Sequence, residues 1–200
     1  MKTLEKFGIL ILFMVSGIMI YAQKDSTKCG IWRWDVKTLT DQDGADLLSK
    51  TPTPSSIGEL VKEKPPKVLF ATEQTDGKIS RYPSENQVVE IIAYVTEVMD
   101  EIDNSAIHFV LKSPNSGKTM VGEIPDPACP KFDKFPQLKD HFTKTRQDGN
   151  TIWNMLNKTK KPVKVKITGV PFWDGILPQR LAGASKYFRE IHPILTIVPE

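Results

Sequence analysis

The sequence predicts a mainly β protein with one helix, preceded by an irregular extension. From residue 87 onwards, five segments are rich in β-branched residues or alternate between apolar and polar residues, as strands do. A helical pattern lies between the third and the fourth of these segments. Before residue 85 the chain is interrupted by prolines and keeps no period. We therefore predict one domain over residues 85–200, with an N-terminal extension, residues 23–84, packed on it.

Three strands are predicted before the helix. The first covers residues 88–98, with the sequence VVEIIAYVTEV. The second and third, residues 106–113 and 118–124, form a hairpin around the four-residue loop PNSG at 114–117.

The helix is predicted over residues 136–147. The stretch RQDGN at 146–150 is expected to interrupt it, and residues 151–158 to add one or two further turns.

Two strands complete the domain. Residues 162–170 alternate strictly, so that Val163, Val165 and Ile167 point inward, and residues 189–198 form the last strand. The order β-β-β-α-β-β is that of the OB-fold, a five-stranded, partly open Greek-key barrel. An open α+β sheet with the same element order is the alternative.

The extension is expected to hold only short elements. Trp32 and Trp34 lie on one predicted short strand, and their rings are expected to pack on the barrel. Ser56 and Glu59 form a capping-box pattern, which predicts one short helix.

The first residues have the pattern of a signal peptide. Lys2 and Lys6 accompany the apolar stretch 7–20, which is shorter than the roughly 20 residues that a membrane-spanning helix needs. Cleavage near Ala22 would remove residues 1–22 and leave no membrane span, and the protein is then exported to the periplasm or secreted. An uncleaved anchor is the alternative.

The two cysteines, Cys29 and Cys129, predict a disulfide, because an even count in an exported protein favours pairing. Free thiols or metal ligands are the competing interpretation, which the lack of a C-x-x-C pair weakens.

Four motifs resemble those of a family of exported bacterial proteins of unknown function. They are IHFVL, TMVGEIPDPAC, ITGVPFWD and EIHPIL, and the resemblance is strongest after residue 88. It implies export and a barrel, and it assigns no catalytic residue. The chain departs from the family in the loop at 175–188, where the family has a glycine-rich stretch with a histidine.

The predicted hairpin register has a chemical consequence. It pairs apolar residues along one face of the two strands, namely Ile107 with Ile124, Phe109 with Gly122, and Leu111 with Met120. On the other face it places His108 opposite Glu123. In the OB order the last strand lies beside the third, which brings Glu190 and His192 to the same outer face.

We treat His108, Glu123, Glu190 and His192 as candidate ligand-binding residues. Two imidazoles and two carboxylates suit zinc or another divalent ion, for which His108, Glu123 and His192 are the metal candidates, and they also suit acid–base chemistry. A purely structural cross-strand pair is the competing interpretation. No cofactor is otherwise predicted.

Two further features are candidates for binding. The loop between the last two strands carries Gln179, Arg180, Lys186 and Tyr187, which makes it a candidate binding loop. A loop that only covers the mouth of the barrel is the alternative. The lysine run at 158–166 either follows phosphate groups or protects a sheet edge.

Together these features favour an exported OB-fold binding module over an enzyme. Its ligand, met in the envelope or outside the cell, is a glycan, a peptide or another envelope component. The alternatives are a metal-dependent hydrolase that uses the His/Glu face and a structural interaction protein of the envelope. A net charge of only +3 disfavours nucleic acid as the partner, and no oligomeric state is predicted.

Overall fold

The computed structural model describes residues 29–30, 32–66, 81–100, 105–174 and 182–200. The predicted signal peptide and two predicted loop residues, Gln179 and Arg180, lie outside these ranges.

The described chain contains six strands and three α-helices. The strands are β1 (Thr53–Pro54), β2 (Val89–Asp100), β3 (Ile107–Lys112), β4 (Thr119–Ile124), β5 (Val163–Trp173) and β6 (Arg189–Pro199). The helices are α1 (Trp34–Lys37), α2 (Ile57–Leu60) and α3 (Pro136–Thr159), and short 3₁₀ helices cover Ala45–Ser49, Pro83–Glu85 and Pro130–Lys134.

The five long strands form a closed barrel. Neighbouring strands follow the order β2-β3-β4-β6-β5, and β5 pairs again with β2. The β4–β6 pair is parallel and the other barrel pairs are antiparallel. With α3 between β4 and β5, this confirms the predicted OB-like barrel, and the open-sheet alternative is wrong. The two-residue β1 adds a parallel partner to β2.

The hairpin has the predicted register. Ile107 pairs with Ile124 and His108 pairs with Glu123, and the remaining pairs follow in step. The loop closes because the Ser113 N–H donates to the Lys118 carbonyl at 2.8 Å, and Gly117 adopts a positive φ of 66° that suits a glycine. The apolar partners lie in the barrel core, as their alternation requires.

The helix α3 is continuous over 24 residues, so the predicted interruption at 146–150 is wrong. Gly149 is buried in the middle of α3, where a Cβ would lie 2.8 Å from Ile124 Cδ1 and 3.0 Å from Phe109 Cζ. The glycine therefore does not end the helix. It lets the helix lie close against the end of the barrel, which Phe142 and Ile152 also help to fill.

The lysine-bearing strand β5 is not an edge. It pairs with β2 on one side and with β6 on the other, so the predicted edge-protecting role of its lysines is wrong. Val163, Val165 and Ile167 point into the core, as predicted.

The first described segment is helical where a strand was predicted. Trp34 begins α1, and Trp32 precedes it in a turn. The short helix α2 begins as predicted, because the Ser56 hydroxyl accepts a hydrogen bond from the Glu59 N–H at 3.2 Å. We call residues 29–66, apart from 31, the N-terminal segment. Its buried apolar side chains belong to the same contiguous apolar cluster as those of the barrel, and they are Trp34, Leu39, Leu47, Ile57, Leu60 and Val61.

The disulfide between Cys29 and Cys129 is present, as predicted, and joins positions 100 residues apart. It ties the start of the N-terminal segment to the chain that follows β4. Among the described residues, no helix combines the length and the apolar character needed to cross a bilayer.

Candidate functional site

The four predicted face residues meet on adjacent strands. His108 on β3 and Glu123 on β4 approach to 3.7 Å between Nδ1 and Oε1. On β6, His192 Nδ1 lies 3.3 Å from Glu123 Oε2 and 3.2 Å from Glu190 Oε1. The glutamate on β4 thus stands between two histidines, and we call these four residues the His/Glu cluster.

The helix α1 adds a cation to the cluster. Lys37 Nζ lies 3.9 Å from Glu190 Oε1 and 3.4 Å from an oxygen of Asp174, which follows β5. The ammonium also lies over the Phe172 ring, 5.2 Å from its centroid. A lysine of the N-terminal segment therefore neutralises part of the negative charge on the barrel wall.

The face that carries the cluster is covered. His108 and His192 are 0% exposed, and Glu123 and Glu190 are 2% and 4% exposed. The Trp34 ring packs edge-on against His192 at 6.1 Å, and Phe172 contacts the same imidazole at 5.8 Å. The prediction that these residues share one face is confirmed, and the described structure shows that this face is covered. The N-terminal segment occupies the surface where OB-folds usually bind their ligands.

A buried ion pair holds the cover in place. Arg33 donates through both terminal nitrogens to the Glu85 carboxylate, and both side chains are 0% exposed. The same carboxylate accepts hydrogen bonds from the N–H groups of Tyr82 and Trp173, at 2.8 and 2.9 Å. Glu85 thus joins the N-terminal segment to the end of β5. In a buried pair of this kind, loss of one partner leaves a charge in the interior.

Arg33 also adopts a strained backbone conformation, with φ of 47°. A non-glycine residue in this region costs about 1 kcal/mol or more. Its guanidinium is stacked among three aromatic rings, those of Trp32, Tyr82 and Phe172. The ion pair and the stacking together offset the strain at this junction.

Two more arginines extend the junction. Arg81 bonds both Asp41 and the Val36 carbonyl, at 2.6 and 3.0 Å. Arg189 on β6 bonds Glu63 at 2.8 Å. Burial lowers the pKa of Arg189, and nearby carboxylates, Glu63 first, oppose that shift.

The cluster has donor atoms that suit a cation. One ligand atom from each of Glu123, Glu190 and His192 can be chosen so that all three lie within 4.8 Å of one another. The arrangement can hold a metal ion or share protons between imidazole and carboxylate.

A second candidate site is open to solvent. A groove of about 560 Å³ lies between the end of α2, the start of β4 and the chain before β6. Its polar lining is dominated by Lys62, Lys118, Lys186 and Tyr187, and none of the described lining residues is acidic. Lys186 Nζ lies 5.0 Å from the centroid of the Tyr187 ring. Two of the predicted loop residues, Lys186 and Tyr187, therefore line a groove.

Sequence reasoning missed the residues that come from the N-terminal segment. Lys37, Arg33 and Lys62 lie in short helices or turns, where no period predicts which way a side chain points. The only sequence signal was the pair of tryptophans, because aromatic residues in a segment without its own core must pack elsewhere.

Comparison with known proteins adds no relative. No family model, no curated protein and no solved structure matches the chain. The resemblance of its motifs to the exported bacterial family stays a prediction.

Proposed function

We propose that the protein is an exported binding module that uses the lysine-lined groove, and not the covered barrel face, to hold an anionic envelope glycan. The observation that carries this proposal is the composition of the groove, in which three lysines and a tyrosine line about 560 Å³ of open space and no described lining residue is acidic.

The size and chemistry of the groove support this ligand class. Small-molecule sites usually measure about 300–1,000 Å³ and combine apolar walls with a few polar groups. Lysine ammonium groups act as point charges for carboxylate or phosphate oxygens. An aromatic ring such as Tyr187 offers a flat apolar surface with a polar tip, which suits the face of a sugar ring.

The disulfide supports the exported location. Bonds between cysteines persist in oxidising compartments and are rare in the cytosol. Together with the apolar stretch at 7–20, the Cys29–Cys129 bond favours the periplasm or the exterior as the place where the ligand is met.

Burial of the His/Glu cluster argues against the hydrolase alternative. A hydrolytic metal centre keeps a position open for water and for the substrate. The four side chains of the cluster are at most 4% exposed in the described structure, which leaves a substrate no path to them.

The test is binding of a charged polysaccharide to the full chain. We expect polygalacturonate to bind, uncharged dextran not to bind, and added salt to weaken the binding. A triple variant, Lys62→Glu, Lys118→Glu and Lys186→Glu, should lower the affinity at least about tenfold, which corresponds to about 1.4 kcal/mol.

The lysine run supplies the matched control. A triple variant with Lys158→Glu, Lys161→Glu and Lys164→Glu changes the net charge equally but lies away from the groove. Equal losses in both triple variants would show that binding follows net charge alone. No binding of either polysaccharide would contradict the assigned ligand class, and a partner protein would then be the better candidate.

A further inference from the structure

We propose that the small cavity lined by Asp174, Arg189 and Glu190 is a pocket for one sugar hydroxyl group, and we call it the hydroxyl pocket. This inference rests on the proposed function, because the glycan must first lie in the lysine-lined groove. It identifies which part of the sugar the protein recognises in addition to the negative charge.

The hydroxyl pocket adjoins the groove. Ala184 and Ser185 line both spaces. Ala184 is only half-buried, so the pocket lies directly beneath the surface of the chain before β6. A group that projects from a ligand in the groove therefore has to pass only this pair of residues to reach the pocket.

The size of the pocket selects a small group. Its volume is about 10 Å³, which corresponds to about one water molecule. The single oxygen of a hydroxyl group fits this space, whereas a carboxylate has two oxygens and would lie against the carboxylates of Asp174 and Glu190. The acidic groups of the glycan therefore stay with the lysines of the groove.

The lining offers both halves of a hydrogen-bond pair. The guanidinium of Arg189 can only donate, and the ionised carboxylates of Asp174 and Glu190 can only accept. A hydroxyl group accepts and donates at the same time, so it matches both kinds of partner. A trapped water matches them too, and the experiment must separate these two occupants.

Arg189 is held in one position with donors to spare. Its side chain is 0% exposed, and its Nη2 atom lies 2.8 Å from Glu63 Oε2 and donates to the Ser84 carbonyl at 3.1 Å. Its guanidinium also lies over the Trp173 ring, 4.4 Å from the centroid. The Nε and Nη1 atoms are buried, and neither has a hydrogen-bond partner among the described residues. Since buried donors are normally bonded, an acceptor in the pocket supplies what this side chain lacks.

Ser185 fixes the pocket relative to the groove. Its hydroxyl accepts a hydrogen bond from the Arg189 N–H at 2.8 Å and donates to the Arg189 carbonyl at 3.0 Å. These two bonds tie the chain that carries Lys186 and Tyr187 to the start of β6. The groove wall and the pocket therefore keep a fixed spacing, which favours a ligand whose acidic groups and hydroxyl group have the matching separation.

The test compares two ligands of equal charge on the full chain, folded with its disulfide. One is an octasaccharide of galacturonate, and the other is the same octasaccharide with its ring hydroxyls O-methylated and its carboxylates free. The lysines of the groove attract both alike, but a methyl ether cannot donate and is larger than the pocket. We expect the methylated ligand to bind at least about tenfold more weakly at the same salt concentration, because a site built to bond a hydroxyl group rejects an analogue without it.

A substitution inside the pocket shows where this preference arises. Val121→Ile adds a methylene group to a side chain that is among the described lining residues of the pocket but not of the groove. It should weaken binding of the unmodified octasaccharide at least about tenfold and leave the methylated one unchanged, so that the preference is lost.

Two controls make the result specific. Val89→Ile is the matched one, because Val89 on β2 is 3% exposed, as Val121 is, and belongs to the described lining of neither space. It should keep the wild-type affinities for both ligands. The triple variant with Lys62→Glu, Lys118→Glu and Lys186→Glu should weaken both ligands by the same factor, because it changes only the charge of the groove.

The outcomes separate the pocket from the groove. Equal binding of the two octasaccharides by the wild type would overturn the hydroxyl pocket and leave the groove as the binding site, with water alone in the cavity. This comparison needs no variant, so it decides even if Val121→Ile does not fold. A preference that persists in a folded Val121→Ile would also overturn the pocket, since the hydroxyls would then be recognised elsewhere. If neither octasaccharide binds, the proposed function fails and the hydroxyl pocket fails with it.

Discussion

The barrel and the N-terminal segment are stabilised by different kinds of interaction. Barrel stability comes from apolar pairs that repeat along five strands, such as Ile107–Ile124 and Leu111–Met120. The N-terminal segment also contributes apolar side chains, and individual covalent and polar links tie it to the rest of the chain. Among these links are the Cys29–Cys129 bond and the Arg33–Glu85 pair. A repeated pattern distributes its stabilising free energy over many residues, whereas a single link concentrates it in one or two. Single substitutions at such links should therefore cost more unfolding free energy than single substitutions in the repeated pattern.

The disulfide is expected to have one of the two largest effects. The double variant Cys29→Ser and Cys129→Ser frees a loop of 100 residues, which in the chain-entropy model costs up to about 4.7 kcal/mol. Urea unfolding of the oxidised wild type and of the variant measures this loss. A difference below about 1 kcal/mol would show that the link is dispensable.

The buried ion pair comes next. Glu85→Ala leaves the Arg33 guanidinium in the interior and removes the acceptor of two backbone N–H groups, so we expect a loss of about 3–5 kcal/mol. Glu90→Ala is the matched control. Its carboxylate is 39% exposed and lies 3.9 Å from Lys166, which limits the expected loss to about 0–1 kcal/mol. Similar losses in the two variants would refute the role assigned to Glu85.

A substitution in α3 shows whether the cost of overpacking exceeds the gain in helix propensity. Gly149→Ala gains about 1 kcal/mol of intrinsic helix propensity but places a Cβ 2.8 Å from Ile124 Cδ1. We expect overpacking to outweigh the gain and to give a net loss of about 1–2 kcal/mol in thermal unfolding. Asn150→Ala, at the exposed neighbouring position, should be neutral or stabilising by a few tenths of a kcal/mol. A stabilised Gly149→Ala would mean that the contact with the barrel is loose.

The smallest effect concerns pH. Burial lowers the pKa of His141, the nearby Lys144 adds to the shift, and a hydrogen bond with the Leu195 backbone opposes it. Since the folded state holds this proton less tightly than the unfolded state, His141 costs stability as pH falls below its ordinary pKa of about 6.5. Above that value the cost is absent. The unfolding free energy of wild type minus that of His141→Gln should therefore fall as the pH is lowered from 7 towards the folded pKa, and a flat or rising difference would contradict the shift.

The contrast between the repeated pattern of the barrel and the individual links of the N-terminal segment also explains which parts of the fold could be predicted from the sequence. Alternation along 106–113, 118–124 and 162–170 predicted the strands, and the hairpin loop then placed His108 opposite Glu123. The two errors near regular structure both involve contacts between segments that are distant in sequence. The sequence predicted a helix break at Gly149. It does not show that another segment packs in the space that a side chain at this position would occupy. The lysines of β5 were expected at a sheet edge, but closure of the barrel gives β5 a neighbour on each side. This closure depends on pairing between distant segments.

The cover of the His/Glu cluster could not be predicted in the same way. Its parts, Trp34, Lys37 and Arg33, lie in one short helix and the turn before it. A four-residue helix has no period to read, and its direction is fixed by contacts with Phe172, Glu85 and Asp174 from other parts of the chain. The cluster residues were therefore predictable from strand register, and their burial was not.

Chemical modification of the histidines tests most directly whether the N-terminal segment covers the cluster. Diethyl pyrocarbonate acylates accessible neutral imidazoles, and mass spectrometry follows His108 and His192 separately in the native chain and in the guanidinium-unfolded chain. With EDTA present, so that no metal protects them, both should react at least roughly a hundredfold more slowly in the native state, because exposure requires an opening that costs several kcal/mol. Native reaction rates close to those of the unfolded chain would show that the face is open and would contradict the account.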